Sequence, residues 1–144
     1  MVKRVDIGGG TASPEGWTNL DPQHGRGKWK RRIEDGIPVA DGSLEEARAS
    51  HLLEHIPAGQ PRIDLMNEVH RVLKPGRLFH VVVPLFPSWQ SVADPTHVSF
   101  WVRESFDYFC RPIANADYDI NYWELVSFEV AGGWEARVTL RKPE

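Results

Sequence analysis

Apolar and polar residues follow two different periods along the chain, and these periods predict an alternation of strands and helices. Residues 2–7 (VKRVDI) are rich in β-branched residues and run into three glycines, which predicts a first strand that ends in a tight loop. Residues 61–74 place apolar side chains at helical spacing before Pro75-Gly76, which predicts a helix. The near-continuous apolar run at 77–85 (RLFHVVVPL) is typical of a strand buried on both faces. A helix followed by such a strand indicates a parallel α/β sheet.

Further patterns predict the remaining elements. Residues 16–21 (GWTNLD) predict a second short strand, and the few residues before it cannot form a crossover helix of normal length. Residues 86–102 read as a loop broken by prolines, and residues 103–109 predict a short helix. Residues 121–130 and 134–142 alternate on either side of two glycines, which predicts an antiparallel hairpin at the carboxyl end.

Residues 43–56 give conflicting signals. Ser43 and Glu46 form a capping box in sequence, and the Leu, Glu, Ala and Arg residues around them favour a helix. A wound sheet needs a central strand from the same segment, and tertiary context often overrides local propensity. The local pattern leaves both structures open.

Composition narrows the class of protein. The chain has 144 residues, which predicts a single domain over residues 1–144. With 41% hydrophobic and 26% charged residues it resembles soluble globular proteins, and a net charge of -3 gives no general reason to expect nucleic-acid binding. The single cysteine, Cys110, excludes an internal disulfide. Because no apolar stretch has the length of a signal peptide or a membrane span, we expect a cytoplasmic protein that does not enter a membrane.

The stretch SHLLEHIP at 50–57 contains a zinc-peptidase signature, H-x-x-E-H, formed by His51, Glu54 and His55. On a helix the two histidines would share a face and could bind one metal ion. A zinc peptidase also needs a third protein ligand and a larger scaffold, and neither is identifiable in the sequence. We therefore predict no metal site; the alternative is that the segment ends a buried strand, with the histidines facing a substrate pocket.

The order of these motifs resembles that of the class I S-adenosylmethionine-dependent methyltransferases, above all their small type 11 subgroup. The motifs are a strand with D-x-G-x-G, a strand ending in NLDP, a VADGS loop, S-H-x-L-E-H, an L-K-P-G turn, an apolar strand and a final hairpin. They span roughly residues 3–110 together with the hairpin. The resemblance implies an α/β fold in a reduced form, with a Rossmann-like, mostly parallel sheet and a C-terminal antiparallel hairpin. It also makes residues 46–50 a strand.

The resemblance implies S-adenosyl-L-methionine as the cofactor. In the family, glycines let the cofactor lie against the backbone, one acid binds both ribose hydroxyls, and another lies near the adenine amino group. The positions that match this cofactor site are Asp6, Gly8, Gly9, Gly10, Asp21, Ala40, Asp41, Gly42, Ser50 and His51. Asp21 would bind the ribose and Asp41 the adenine, although each aspartate could instead serve only its own turn.

Methyl transfer from a sulfonium is an in-line displacement, which requires alignment and exclusion of water rather than a metal. A hydroxyl or protonated nitrogen acceptor also needs a base, and histidine suits this role near neutral pH. The first candidate for a catalytic residue is His97, with Asp94 close enough in sequence to orient its ring, and the second is His51. The alternative for His97 is a loop histidine that bonds to backbone.

For the methyl acceptor and for partners, the sequence indicates only broad classes. Trp89, Phe100, Trp101 and Tyr108 could form an aromatic wall for a substrate, or could belong to the core. The basic residues of segment 26–32 could attract an anionic substrate, or form a solvated loop. We expect a small-molecule substrate, anionic or aromatic, or a group presented by a macromolecule. This basic segment is the only feature of the sequence that would support a nucleic-acid substrate.

The sequence departs from the family by nearly lacking the first crossover helix and by having too few residues between Asp21 and Asp41 for a full third strand and helix. Such a reduction would expose the cofactor, which a homodimer or a partner subunit could cover. It also leaves an alternative function open, a non-catalytic subunit of the same fold that binds the cofactor or serves as a scaffold.

Overall fold

The computed structural model describes residues 1–111 and 117–144. The strands are β1 (Arg4–Ile7), β2 (Thr18–Leu20), β3 (Leu44–Ser50), β4 (Leu73–Pro84), β5 (Glu124–Ala131) and β6 (Glu135–Arg141). The helices are α1 (Gln60–Val72), α2 (Trp89–Val92) and α3 (Arg103–Cys110), and 3₁₀ turns lie at Gly27–Trp29, Ile33–Asp35 and Leu53–His55. No helix within the described residues has the length and apolarity needed to cross a bilayer.

The six strands form one sheet in the order β2-β1-β3-β4-β6-β5. β1 is parallel to β2 and β3, and β3 is parallel to β4, whereas β6 is antiparallel to both β4 and β5. The α1 helix supplies the crossover that parallel neighbours such as β3 and β4 require. The predicted fold class is confirmed: a mostly parallel α/β sheet with an antiparallel hairpin at the carboxyl end.

The segment with conflicting signals is a central strand. β3 pairs with β1 on one side and with β4 on the other, and its Ala47 and Ala49 side chains are fully buried. A central strand satisfies its backbone groups on two neighbours, and this tertiary pairing outweighs the small differences in helix propensity. The helix alternative for residues 43–56 is therefore wrong.

One face of the sheet, which we call the apolar face, carries most of the core. Val5, Ala47, Phe79, Val81 and Leu140 lie on it at adjacent register positions and are fully buried. Because side chains in a strand alternate between faces, this single face collects the apolar residues of four strands.

Helices cover this apolar face. The ring of Trp123 lies 5.7 Å from that of Phe79 and 5.1 Å from that of His70 on α1. At the other end, Phe106 of α3 packs edge to face on Phe128 of β5 at 6.0 Å. The core therefore lies between the sheet and the α1 and α3 helices.

The opposite side, which we call the polar face, carries the intervening side chains Arg4, Asp6, Glu46, Arg48, Leu78, His80, Thr139 and Arg141. Ion pairs join neighbouring strands there, for example Arg4 Nε to Glu46 Oε1 at 3.3 Å and His80 Nε2 to Glu46 Oε2 at 2.9 Å. Trp17 lies under the Arg4 and Arg48 guanidinium groups at 5.9 and 6.0 Å. The side chains of this face are thus paired mainly with one another.

The prediction that β4 is buried on both faces is wrong. Phe79 and Val81 are fully buried, but Leu78 and His80 between them are partly exposed on the polar face. The physical reason lies in the connections before and after β2. Residues 8–17 contain turns and no helix, and residues 21–43 contain 3₁₀ turns and no strand, so they supply no helix to cover the second face.

Candidate functional site

The carboxyl ends of β1, β3 and β4 meet at one edge of the sheet, as parallel strands require. Three loops follow these ends: the glycine loop (Gly8–Gly10), the turn at residues 51–55, and the segment at residues 85–102. The first two are in contact, because a Cβ placed on Gly8 would lie 2.8 Å from Leu52 Cδ1. Most of the residues predicted for the site lie in or beside these loops.

The glycine loop depends on absent side chains. Gly8 and Gly10 have positive φ angles of 67° and 57°, a region that favours glycine. A Cβ on Gly9 would collide with the Asp6 carboxylate and lie 2.8 Å from Asn19 Oδ1, whereas a Cβ on Gly10 would meet no atom within 4 Å. The loop therefore has a tightly packed inner side at Gly9 and an open outer side at Gly10.

Side chains at the end of β2 hold this loop in place. The Gly9 amide donates to Asn19 Oδ1 at 3.0 Å, and the Asn19 amide group donates back to the Gly10 carbonyl at 2.8 Å. The Gly10 amide donates to Asp21 Oδ2 at 3.0 Å. Asn19 was missed by the sequence analysis, although an asparagine inside a strand, where this residue type is depleted, is a signal that could have identified it.

The Asp21 carboxylate is buried and already bonded to backbone. Besides Gly10, the amides of Gln23 and His24 donate to its Oδ1 at 2.8 and 2.9 Å. Burial acts to raise the pKa of Asp21, but these three hydrogen bonds outweigh it and hold the pKa below the ordinary value. The ionised Asp21 carboxylate therefore stabilises the turn that begins at this residue. This is the turn role that the sequence analysis considered as the alternative to ribose binding.

Asp6 lies almost completely buried behind the glycine loop. Its Oδ1 is 3.5 Å from Arg48 Nε, and no hydrogen-bond partner for this oxygen is found among the described residues. Burial raises the pKa of Asp6, while the Ser13 hydroxyl and the Arg48 charge act against the shift.

The Asp41 side chain is 82% exposed and bonds to Arg71 Nη1 at 2.7 Å. Arg71 also donates to the Val39 and Ile37 carbonyls at 3.0 Å each, so it fixes the loop before β3 on helix α1. The neighbouring Ser43 hydroxyl donates to the Ala40 carbonyl at 2.7 Å.

Ala40 lines a cavity of about 400 Å³ together with Trp29, Val39 and Ser43. The Trp29 carbonyl accepts a hydrogen bond from the Asp21 amide at 3.1 Å, which connects this cavity to the end of β2. Trp29 thus links Ala40 to Asp21, whereas the Asp21 and Asp41 carboxylates have separate protein partners.

A second cavity, of about 370 Å³, lies at the ends of β3 and β4; we call it the histidine pocket. It brings together the three predicted catalytic residues His51, Asp94 and His97. The other residues that line it are Glu54, His55, Pro84, Trp89, Gln90, Ala93 and Trp134.

His51 directly follows β3 and has a left-handed conformation, with φ at 55°. Its Nε2 lies 2.8 Å from Glu135 Oε1, and its Nδ1 lies 3.5 Å from Glu54 Oε2. The interaction with Glu54 raises the pKa of His51, burial acts against the shift, and Glu135 adds to the rise. The sequence analysis missed Glu135, which reaches the pocket because it pairs with Pro84 across β4 and β6.

His97 is held mainly by backbone. Its Nδ1 lies 2.7 Å from the Ser91 carbonyl, and its Nε2 lies 3.6 Å from Asp94 Oδ2. Asp94 Oδ1 accepts hydrogen bonds from the Thr96 hydroxyl at 2.7 Å and the Thr96 amide at 2.8 Å, which lower the pKa of Asp94. The backbone contact expected as the alternative for His97 is present, and Asp94 lies beside the other ring nitrogen.

The four aromatic residues considered as a wall do not form one. Trp101 is fully buried in the core, where it contacts Phe106 at 4.8 Å. Trp89 is exposed and lines the histidine pocket, whereas Tyr108 packs near Tyr118 at 6.3 Å. For Trp101 the core alternative is correct, because its ring packs against Phe106 and Phe109 of α3.

The H-x-x-E-H motif does not lie on one helix. His51 directly follows β3, while Leu53–His55 forms a separate 3₁₀ turn, so the two histidines do not share a helical face. The ring that contacts His55 is that of His97, at a centroid distance of 4.8 Å. Tertiary structure thus joins His55 to a histidine 42 residues away in the loop after β4.

Solved structures with the same fold include three instructive examples. A S-adenosylmethionine-dependent methyltransferase from Thermotoga maritima, described as a possible histamine N-methyltransferase, is 14% identical, with a TM-score of 0.67 over 97% of this chain and 82% of its own. A chain in the complex of the Haloferax volcanii Trm112 methyltransferase activator with a putative methyltransferase is 14% identical, with a TM-score of 0.64 over 99% and 83%. The [4+2]-cyclase SpnF is 14% identical, with a TM-score of 0.68 over 99% and 74%.

No protein-family model matches the chain, and no curated protein sequence matches it significantly. At such low identities the structural matches establish the fold and leave the chemistry to the site, as the cyclase among them illustrates. The mostly parallel six-stranded sheet with antiparallel strands at the carboxyl end is the part of the architecture that these matches support. The chain therefore has the fold of the class I S-adenosylmethionine-dependent methyltransferases.

Proposed function

We propose that the chain is a S-adenosylmethionine-dependent methyltransferase whose glycine loop binds the cofactor and whose histidine pocket receives the acceptor. The observation that carries this proposal is the contact between the two regions. Gly8 of the glycine loop packs on Leu52, which directly follows His51 of the pocket. A cofactor on the outer side of the loop would then be adjacent to titratable groups, as methyl transfer to a polar atom requires.

The roles proposed for the individual residues follow from their positions. Gly8, Gly9 and Gly10 would bind the methionine part of the cofactor through the backbone. Asp21 would both hold the loop and offer its remaining acceptor capacity to the ribose, since a carboxylate has about four acceptor positions. Ala40 and Gly42 would frame the adenine, with Asp41 close to its amino group.

In the acceptor region, Ser50 and His51 would lie beside the transferred methyl group. His97, with Asp94 next to its Nε2, would accept the proton of the acceptor. Trp89 and Trp134 would favour an acceptor with a planar part, whereas the Glu54 and Glu135 carboxylates on either side of His51 offset its positive charge and give no attraction for an anionic one. This supports a small-molecule substrate, and a group presented by a macromolecule would need to enter the same pocket.

A second candidate function is a non-catalytic subunit that binds the cofactor or acts as a scaffold. It is favoured by the Asp21 and Asp41 carboxylates, which already have protein partners. A partner subunit or a second copy of the chain would cover the exposed edge in either case. Complex formation by a structural neighbour with an activator supports such a partner.

The test is calorimetric titration of the chain with S-adenosylmethionine and its demethylated product. The sharpest variant is Gly10→Asn, because asparagine tolerates a positive φ and its side chain would extend into open space on the outer side of the loop. We expect it to lower cofactor affinity about tenfold or more, which is ~1.4 kcal/mol. The matched control is Gly133→Asn in the hairpin turn, which has φ of 77° and open space as well.

Cofactor binding that is absent from the wild type, or equal in both variants, would contradict the proposal. Binding without methyl transfer to any acceptor in a broad screen would instead favour the non-catalytic subunit.

A further inference from the structure

Three side chains in the histidine pocket are arranged like ligands of a metal ion. Glu54, His55 and His97 each offer one ligand atom, and these three atoms lie within 4.8 Å of one another. Glu54 and His55 come from the turn after β3, and His97 comes from the loop after β4. The group therefore forms only where two neighbouring strands end.

Each of the two histidines is held through one ring nitrogen by a backbone carbonyl. His55 Nδ1 lies 3.2 Å from the Thr96 carbonyl, and His97 Nδ1 lies 2.7 Å from the Ser91 carbonyl. A carbonyl oxygen only accepts, so each Nδ1 is the protonated donor and each Nε2 carries the free lone pair of a neutral ring. Histidines that bind metals commonly donate their second ring N–H to a backbone carbonyl in this way.

Glu54 supplies a second, independent indication of a ligand. Its side chain is 2% exposed, and its Oε1 is buried without a hydrogen-bond partner among the described residues. Its Oε2 is 3.5 Å from His51 Nδ1. A buried carboxylate oxygen without a partner is costly, and a cation beside it would remove that cost. The Val98 and Ser99 amides donate to the Glu54 carbonyl and hold the turn against the His97 loop.

We propose that Glu54, His55 and His97 bind one divalent transition-metal ion, with zinc as the best fit. Two imidazoles and one carboxylate are the protein ligands of zinc sites in which one coordination position stays open for water or substrate. Magnesium and calcium prefer oxygen ligands to imidazole. Bonds of about 2.0–2.1 Å would draw the three ligand atoms closer together than the 4.8 Å within which they lie here. The open position would face the 370 Å³ pocket.

An ion at this position would change the roles of the neighbouring residues. His97 would be a ligand, and His51 would remain as the titratable group beside it. A bound ion lowers the pKa of a coordinated hydroxyl or water and so assists removal of a proton from an oxygen acceptor. The inference goes beyond the proposed methyl transfer, since metal binding requires no cofactor.

The competing explanation needs no metal. Protonated His51 would then neutralise Glu54 across 3.5 Å, and His97 would pair with Asp94 across 3.6 Å. The two explanations differ in the stoichiometry of bound metal, which can be measured directly.

The experiment uses the full chain, treated with chelator and dialysed, then titrated with Zn²⁺ by calorimetry and with Co²⁺ by visible absorption. We expect one ion per chain, and an affinity lowered about 100-fold or more in Glu54→Gln, His55→Asn and His97→Asn. The matched control is His24→Asn, an exposed histidine outside the pocket. Circular dichroism checks the fold of each variant. Because the His55 side chain is exposed, His55→Asn should disturb the core least.

No uptake of Zn²⁺ or Co²⁺ by the wild type, or equal affinity in the wild type and all three ligand variants, would overturn the inference. Binding of the demethylated cofactor is measured in the same preparations. Cofactor binding without metal uptake refutes only the metal site, and metal uptake without cofactor binding refutes only the proposed function.

Discussion

The two faces of this sheet are built from the same strands but stabilised by different forces. On the apolar face, Phe79, Val81 and Leu140 are fully buried beneath α1 and α3. On the polar face, the intervening residues are charged and pair with one another across the strands. A fully buried aromatic side chain contributes several kcal/mol, whereas an exposed ion pair contributes ~0.2–1 kcal/mol.

The difference teaches how a class I methyltransferase fold can tolerate the loss of elements. A parallel sheet is normally covered by helices on both faces, because both faces are apolar. Here the connections on either side of β2 contain no α-helix, and charged residues take the place of apolar ones on the face left uncovered. The apolar face then supplies the core, and the polar face needs only to be compatible with contact to water.

The largest effect is expected from Phe79→Ala on the apolar face. Removal of this fully buried ring leaves a cavity among Trp123 and its neighbours, so the free energy of unfolding should fall by about 3–5 kcal/mol. Denaturant unfolding measures the loss. The matched control is Leu78→Ala, the adjacent residue on the polar face, for which a clearly smaller loss is expected. Equal losses would mean that the two faces do not differ as described.

A smaller effect is expected from the pH dependence of stability on the apolar side. Burial lowers the pKa of His70, the Lys142 charge adds to the shift, and the hydrogen bond to the Tyr122 carbonyl acts against it. The unfolded chain therefore binds more protons than the folded chain, and stability present above the ordinary histidine pKa of about 6.5 is lost as the pH falls through it.

The His70→Gln variant tests this, since glutamine can still donate to the Tyr122 carbonyl but does not titrate. The free energy of unfolding is measured at about pH 7.5 and 5.5, on either side of the ordinary pKa. Its fall from the higher to the lower pH should be smaller in the variant than in the wild type. An identical fall in both proteins would show that His70 does not contribute.

The smallest effect is expected from Glu46→Gln on the polar face, which weakens the pairs with Arg4 and His80. Both partners are partly exposed, so the loss should be ~1 kcal/mol or less and should decrease at high salt. Chemical unfolding at low and high ionic strength measures it. A loss as large as that of Phe79→Ala would break the comparison between the faces.

Much of the fold could be predicted from local patterns. The α1 helix, the hairpin of β5 and β6 and the glycine loop were confirmed because each depends on neighbouring residues: helical spacing, alternation and glycine conformations. β4 showed the limit of this approach, since its continuous apolar run could not reveal that one face lacks a covering helix.

The candidate site was only partly accessible in the same way. The glycine loop and the histidines were visible as motifs, but their partners Asn19, Arg71 and Glu135 were not. These partners come from other strands and helices, and no local spacing connects them to the motif. Their contribution depends on strand order and register.

The sequence by itself determined which residues are apolar, where glycines permit the loop after β1, and the order of the elements, because these depend on side-chain chemistry and local backbone freedom. Only the tertiary structure decided that residues 44–50 form a strand, that one face of the sheet is stabilised by charge, and that His55 lies against His97 rather than acting with His51. Those outcomes depend on pairing between segments far apart in the chain. The energy of such pairing outweighs the local preferences of either segment alone.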